Sequence, residues 1–324
     1  STSIIKIQKE NNITTNSFSV GYGDNKYDES EWFNQVAKKY DTNHHVTNVD
    51  KFFSDEDILN SIKAFDEPYA DPSTVPSYIL SKEISKYYKV AISGDGGDEL
   101  FGGYTRTLEM LKNRNFVKNI YSKLFYFYPG FLGTGSNLQK NSSDIVKGYS
   151  SYFEDIKLLN LLNIKNKNGV REKFSLDNIS NYKKMQLVEY KLYLSEMMML
   201  KVDRTSMANS LEVRSPFVDH RLIEYMLGHE ESHIDRSNSK KILKQLIKND
   251  FNDKFLNRKK MGFVFNVEKW IYDNLHLVEE RIISGKIIKS YNSNILNTLK
   301  INKSRMNGNR LWKMLFLEEF LDGN

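Results

Sequence analysis

Residues 93–104 of this 324-residue chain read SGDGGDELFGGY. The stretch directly follows a short apolar run, Val90–Ile92, that is typical of a buried strand. Glycine lets the backbone approach a ligand closely, and carboxylates in such a turn suit a metal ion or an amine better than bare phosphate. A solvated surface turn is the common alternative for a Gly/Asp cluster. The position favours a ligand site, because open α/β sheets bind ligands at the carboxyl ends of their strands.

Helix and strand patterns alternate along the chain before this loop. The alternation predicts an α/β fold, a doubly wound parallel sheet that occupies residues 1–105. The pattern of residues 106–324 is mainly helical. The alternating segments are a helix over 3–7, a strand over 18–22, a helix over 32–40, a strand from 45–46 and a helix from Pro76.

Composition limits the partners of the protein. The net charge of +6 and the pI near 9.0 fit a polyanionic nucleotide, nucleic acid or an ordinary lysine-rich surface. We expect no nucleic acid partner, because no arginine-rich arm or basic–aromatic platform is present, and an RNA-binding module is the weakest alternative. The chain has no cysteine, which excludes disulfides and cysteine nucleophiles within it and fits a reducing compartment. We expect a cytoplasmic protein without a membrane span or secretion leader.

A later helix carries an apolar stripe that is interrupted by a charge. We predict that the stripe is core, and the interrupting residue, Arg204, then needs a partner because an unpaired buried charge is costly. Either an Arg–Asp pair locks two helices together, or this helix borders the ligand site. The stripe consists of Tyr193, Met197, Leu200, Met207 and Leu211.

An ordered set of motifs resembles the synthetase domain of the glutamine-hydrolysing asparagine synthetase family, part of the ATP-pyrophosphatase (PP-loop) superfamily. The resemblance implies an adenine nucleotide alpha hydrolase-like fold. It makes residues 1–105 the nucleotide-binding α/β part and residues 106–324 the mainly helical remainder of the synthetase domain. The matching segments are 18–22 (FSVGY) with 27–30 (YDES), 66–73 (DEPYADPS), 93–104, 201–208 (KVDRTSMA) with 211–219 (LEVRSPFVD), and 258–263 (RKKMGF).

The resemblance also implies a reaction and its cofactors, ATP and Mg²⁺. ATP activates a carboxylate as an acyl-adenylate and releases pyrophosphate, and ammonia then attacks to give an amide and AMP. Aspartate is the default acceptor, and relatives amidate other carboxylates such as uronic acids of surface polysaccharides. A non-catalytic relative that binds a nucleotide or a partner is the alternative from another class.

Family roles transfer to individual residues of this sequence by resemblance. Lys260 stabilises charge on the phosphates and the oxyanion, and Asp95 removes a proton from ammonia or from the tetrahedral intermediate. Asp98 engages Mg²⁺–pyrophosphate or the substrate amine. Glu99 beside it binds substrate, or it is equally well a helix N-terminal carboxylate favoured by the dipole. The nucleotide-binding positions are Ser1, Val20, Ser93 and Gly94.

Other charged residues have a structural interpretation as well. Arg258, near the start of the basic loop, reads equally well as a solvated surface charge. We predict that Arg214 and Asp219 are structural ion partners. Glu67 and Asp71 are weaker candidates for the border of the acceptor pocket.

The start of the chain departs from the family pattern. The family's phosphate loop reads Ser-Gly-Gly-x-Asp-Ser, and the first five residues, STSII, resemble its end, with Ser1 as the last residue of the motif. The glutaminase domain, which liberates ammonia, is expected on the same or on a separate chain, and a homodimer is left open. We favour a longer polypeptide over a split enzyme or a degenerate relative. Without the loop we expect weak ATP binding, because backbone amides at a helix N-terminus cradle phosphate.

Overall fold

The described part of the chain is mostly helical and contains four short strands. Its backbone groups into two units, the first comprising Ser1–Gly103 and Leu194–Asn266, the second Tyr104–Tyr193 and Val267–Asn324. The predicted division at residue 105 stays a proposal, because compact grouping alone does not define an independently folding domain. A computed structural model describes residues 1–22, 28–48, 54–104, 155–162, 179–228, 239–258, 262–263, 265–286 and 294–323, with shorter stretches between 106 and 149.

All of the described strands lie in the first unit and pair in parallel. In one pair Phe18 lies opposite His45, and in the other Ile92 lies opposite Arg214. The predicted parallel α/β class is therefore confirmed, although the described strands form two separate pairs rather than one wide sheet. The strands are β1 (Asn16–Gly21), β2 (Asn43–Asn48), β3 (Val90–Ile92) and β4 (Glu212–Arg214).

The helices follow in chain order and occupy both units. None of the described helices is long and apolar enough to cross a membrane. The α-helices are α1 (Thr2–Glu10), α2 (Ser30–Tyr40), α3 (Asp55–Lys63), α4 (Thr74–Ser85), α5 (Gly97–Leu100), α6 (Ile156–Leu161), α7 (Asn181–Val188), α8 (Leu200–Met207), α9 (His220–Gly228), α10 (Lys241–Ile247), α11 (Asp253–Leu256), α12 (Val267–Asp273), α13 (Leu275–Ser284), α14 (Asn294–Ile301) and α15 (Arg305–Gly323). Short 3₁₀ helices span Leu124–Phe127 and Pro216–Val218, and a π-helix spans Glu189–Met199.

The strand β4 was not expected, because the sequence after residue 106 shows mainly helical periodicity. Its outer residues Glu212 and Arg214 are charged and exposed, so the segment lacks the apolar pattern of a buried strand. Backbone pairing with β3 nevertheless makes it a strand. Tertiary context thus decides the structure of this segment, as it often does for short strands.

The helix that carries Arg204 agrees only in part with the predicted apolar stripe. Met207 is 55% exposed, and the fully buried Leu211 lies beyond the end of α8, so the stripe is not continuous core. Arg204 donates to the carboxylate of Asp66 over 2.7 Å, so it does pair with an aspartate, but Asp66 lies in the bend after α3 and the pair does not join two helices. Both side chains are more than a third exposed, so the pair contributes little stability.

An apolar layer joins the four helices α1, α2, α10 and α11. At its centre the rings of Phe251 and Phe255 stack with centroids 4.0 Å apart. Phe255 is completely buried, and the indole of Trp32 packs edge-on against its ring. The layer consists of Ile5, Trp32, Val36, Tyr40, Ile247, Phe251, Phe255 and Leu256, and we call it the support layer.

We predict that Phe255→Ala lowers the free energy of unfolding by about 3–5 kcal/mol, because it leaves a cavity at the centre of the support layer. Urea denaturation measures the change. Ile7→Ala on α1 is the control, because Ile7 is 52% exposed and its truncation should cost about 0.5 kcal/mol or less. Similar losses for the two variants would show that the layer does not stabilise the first unit.

Candidate functional site

The glycine-rich loop turns sharply after β3 and enters the short helix α5. Gly96 has φ +82°, a conformation that side chains disfavour, and a Cβ there would lie 2.9 Å from Val218. The amide of Leu100 donates to the carbonyl of Gly96, and the amide of Gly103 donates to the carbonyl of Asp98. The conformation of the loop itself therefore requires glycine at position 96, apart from any need for a ligand to approach the backbone.

The end of β4 and the segment that follows it form hydrogen bonds with the loop. The Ser93 amide donates to the Arg214 carbonyl over 2.8 Å, and the Ser215 hydroxyl donates to the Asp95 carbonyl. The ring of Phe217 lies against Phe101, with centroids 5.7 Å apart, and it would lie 3.2 Å from a Cβ at position 97. The motif at 211–219 therefore acts by holding residues 93–104 in place, and we call these residues the acidic loop.

Arg214 and Asp219 both take part in local ion pairs, as predicted, although not with each other. Arg214 pairs with Glu212 over 2.7 Å, and Asp219 pairs with Arg221 over the same distance. All four side chains are at least one-third exposed. These pairs fix local conformation near the loop and add little stability.

The start of α1 lies directly against the acidic loop. A Cβ at position 94 would lie 2.4 Å from the backbone nitrogen of Ser1 and 3.1 Å from its Cα, so only glycine fits there. The Ser1 carbonyl accepts from the amides of Ile4 and Ile5 in the first turn of α1. The Ser93 hydroxyl beside this contact is buried and has no hydrogen-bond partner among the described residues. The structure thus brings together three predicted nucleotide-binding residues.

Lys240 is a site residue that the sequence reasoning missed. Its ammonium forms an ion pair with Asp98 over 2.9 Å, and its amide donates to the Phe101 carbonyl. Its backbone is left-handed, with φ +56°, directly before α10. A Cβ at Gly103 would overlap the Asp98 carboxylate and approach the Lys240 side chain to 2.6 Å, so a larger residue there would displace both side chains of the ion pair. No sequence motif distinguishes Lys240 from the other lysines of the chain, so the sequence did not predict this role.

Acidic and basic groups converge around the start of α1. The Ser1 nitrogen lies within electrostatic range of two carboxylates and two cations, those of Asp95, Asp98, Lys240 and Arg258. The pKa of Lys244 is lowered by burial and by the charges of Arg258 and Lys240. We call Lys240, Lys244 and Arg258 the basic cluster.

Arg258 is packed against the protein, so its interpretation as a solvated surface charge is wrong. Its guanidinium lies 4.0 Å from the centroid of the Phe255 ring and donates to the Phe255 carbonyl over 2.8 Å. Burial lowers the pKa of the guanidinium. Lys260, two residues further on, lies outside the described residues, so its place in the site stays a prediction.

The remaining predicted residues have plain positions in the first unit. Val20 is buried in β1 opposite Thr47. Glu99 is buried in the first turn of α5, where the dipole interpretation and the substrate interpretation both remain open. Among the residues that the structure describes, no three His, Cys, Asp or Glu side chains lie close enough to hold a metal ion alone. Asp98 as a metal ligand is therefore a proposal that needs other oxygen donors.

Comparison with known proteins identifies the family. Residues 1–322 match the family model described as asparagine synthase. The chain belongs to the asparagine synthase family. Among its relatives, asparagine synthetase [glutamine-hydrolyzing] 1 of Bacillus subtilis (strain 168) is 27% identical over 337 residues, which cover 96% of this chain and 52% of the relative.

Other relatives match over shorter parts of the chain and carry similar names. The putative asparagine synthetase [glutamine-hydrolyzing] of Mycobacterium tuberculosis (strain ATCC 25618 / H37Rv) is 28% identical over 227 residues, 64% of this chain and 34% of the relative. The putative asparagine synthetase [glutamine-hydrolyzing] 2 of Methanocaldococcus jannaschii is 38% identical over 91 residues, 27% of this chain and 17% of the relative. This asparagine synthase-family chain spans about half or less of the length of these relatives.

We predict that Gly94→Ala lowers the free energy of unfolding by about 1–3 kcal/mol, because the new methyl group must displace the start of α1. Urea denaturation measures the loss, and hydrogen exchange should accelerate at the amides of Ile4 and Ile5. Gly228→Ala is the matched control, since a Cβ there meets no atom within 4 Å. Unchanged exchange at α1 in Gly94→Ala would contradict the close contact.

Proposed function

We propose that this chain is the synthetase part of an enzyme that uses ATP to amidate a carboxylate through an acyl-adenylate, with AMP and pyrophosphate as products. The observation that carries the proposal is the meeting of the acidic loop and the basic cluster at the start of α1, where Asp98 pairs with Lys240. A catalyst of this reaction must bind a polyanionic nucleotide and a leaving pyrophosphate beside groups that accept protons.

The basic cluster supports the assignment of a phosphate site. Lys240 directly precedes α10, Lys244 lies in its last turn, and Arg258 follows α11, so separate elements bring positive charge to one place. Asp98 pairs with Lys240, and a bound polyanion would further offset the repulsion and burial that lower the pKa of Lys244. Lys260, which is close in sequence to Arg258, is proposed as the lysine that stabilises charge on the phosphates and the oxyanion.

The residues at the loop fit ATP and Mg²⁺. The glycine at position 94 lets the backbone of Ser1 pack against the loop, and the buried hydroxyl of Ser93 lacks a partner among the described residues, as expected of a group that binds a ligand. Val20 is proposed to contact the adenine. Asp98 is proposed to bind Mg²⁺, which when bound would neutralise charge on the pyrophosphate.

The chain's own acids are proposed to handle protons and the acceptor. Asp95 directly follows Gly94, which contacts Ser1, and it would take a proton from the attacking ammonia or from the tetrahedral intermediate. Glu99 is the proposed substrate-binding partner in the same loop. Aspartate is the proposed default acceptor, and a uronic acid of a surface polysaccharide is the alternative within the same chemistry.

The proposed enzyme needs parts beyond the residues described. A glutaminase domain, on the same or a separate chain, is the proposed source of ammonia, since the names of the relatives describe glutamine hydrolysis. A phosphate loop preceding Ser1 would enter the site directly, because Ser1 already touches Gly94. We propose the cytoplasm as the compartment and leave a homodimer as a further proposal.

The test is an assay of AMP and pyrophosphate release by the full-length gene product, with ATP, Mg²⁺ and a panel of carboxylates. The panel contains aspartate, glutamate and uronic acids, each with glutamine or with ammonium. We expect AMP and an amide in equal amounts with one acceptor. ATP binding without AMP from any carboxylate would instead support a non-catalytic relative.

A matched pair of variants ties the activity to the loop. Asp98→Asn should lower turnover by about a hundredfold and raise the Mg²⁺ concentration for half-maximal rate, because it removes a proposed ligand and the counter-charge of Lys240. Asp273→Asn removes an exposed pair with Lys269 on α12 and should leave both quantities unchanged. Wild-type rates in Asp98→Asn would remove this residue from the site.

A further inference from the structure

One carboxylate outside the loop receives several donors from different helices. Asp250 lies in the turn after α10, and its Oδ2 accepts from the Lys6 ammonium at 2.8 Å and from the Tyr40 hydroxyl at 3.0 Å. The ammonium of Lys39 lies 3.6 Å from the other oxygen. The side chains of Asp250 and Lys6 are mostly buried, so this pair is screened by solvent less than the surface pairs are.

Two of the helices that Asp250 connects, α1 and α10, also begin at the candidate site. Lys6 lies midway along α1, whose start at Ser1 touches Gly94. Asp250 follows α10, and at the opposite end of that helix Lys240 binds Asp98. The carboxylate therefore connects the element that touches the acidic loop to the element that supplies its cation.

The support layer holds the same helices together by apolar contact. Ile5 of α1 and Ile247 of α10 both belong to it, and Tyr40 contributes its ring to the layer and its hydroxyl to Asp250. Apolar contact is non-directional, so it brings the helices together without fixing how far one slides along the other. A charge-assisted hydrogen bond is directional and can fix that register.

We propose that Asp250 is a positioning residue of the adenylating site, which sets the register of α1 against α10 and so the placement of Ser1 and Lys240 around the acidic loop. The inference rests on the proposed function for its kinetic part. Its structural part concerns only the first unit and is tested separately.

The charges around Asp250 keep it ionised. Hydrogen bonding to Lys6, followed by Tyr40 and the charge of Lys39, lowers the pKa of the Asp250 carboxyl, although burial opposes the shift. Glu10 pairs with Lys6 from the solvent side at 2.9 Å. The pairing is therefore complete above the ordinary aspartate pKa and is lost only as pH falls through the lowered value.

The test compares Asp250→Asn with Asp41→Asn in the full-length enzyme. Asp41 pairs with Lys9 of α1 at 3.5 Å and follows α2, so the control removes an exposed pair between two of the same helices by the same substitution. Asp250→Asn should lower kcat/KM for ATP by about tenfold or more, because small misplacements of phosphate-binding groups are costly. The KM for the acceptor should stay within about twofold, since its binding does not depend on these cations.

Hydrogen exchange gives a readout that does not depend on activity. Asp250→Asn should accelerate exchange in the first turn of α1 and at Lys240–Lys244, whereas Asp41→Asn should not. Lys6→Met should reproduce the effect, and the double variant should add little, because both substitutions remove one contact.

The outcomes separate the two claims. A variant Asp250→Asn with lower thermal stability but unchanged ATP kinetics and exchange, measured well below its melting temperature, would overturn the positioning role. Equal effects in Asp41→Asn would also overturn it. A wild-type enzyme without AMP formation would refute the proposed function, while the exchange pattern would still decide whether Asp250 sets the helix register.

Discussion

The backbone of Ser1 lies so close to residue 94 that a side chain there has no room. This contact fixes the start of α1 at the carboxyl end of β3, which is where parallel α/β proteins bind ligands. Several contacts of the first unit hold the acidic loop beside it. The loop turns at Gly96, where φ is positive. Within the loop Asp98 forms an ion pair with Lys240, and Ser215, which follows β4, donates a hydrogen bond to the Asp95 carbonyl.

The close contact depends on helices that are far from the loop in sequence. The support layer packs four helices together, α1, α2, α10 and α11, and its Phe255 ring also contacts the guanidinium of Arg258. The same packing that stabilises the first unit thus carries positive charge towards the acidic loop. The acidic loop and the basic cluster come from both segments of the first unit, Ser1–Gly103 and Leu194–Asn266, so their arrangement exists only in the folded protein.

Sequence patterns predicted the elements that depend on residues close together in the chain. The positions of β1 and β3 follow from short apolar runs. The predicted burial of β3 is wrong, because Val90 is 44% and Ile92 53% exposed among the described residues. The pattern could not predict β4, because Glu212 and Arg214 are charged and only pairing with β3 makes the segment a strand. It also misjudged Met207, whose exposure depends on where the helix lies and not on its spacing.

Long-range contacts explain what was missed in the site. In the sequence nothing distinguishes Lys240 from the other lysines, and only the fold brings it to Asp98. Arg258 likewise has the sequence pattern of a surface charge, and only the fold places its guanidinium over the Phe255 ring. The motifs, by contrast, carried the family assignment, which the match over residues 1–322 confirms. Charge, hydrogen bonding and glycine geometry then explain why those motifs have the residues that they have.

The central claim is that a carboxylate is activated by adenylation at this loop. An isotope-transfer experiment tests it most directly: the full-length enzyme turns over an acceptor whose carboxylate oxygens are ¹⁸O, and the nucleotide product is analysed by mass spectrometry. Attack of the carboxylate on the α-phosphate predicts AMP that carries one ¹⁸O atom, because the acyl–oxygen bond breaks when ammonia attacks. Label in inorganic phosphate with ADP as the product, or amide formation without label in any nucleotide, would contradict the account.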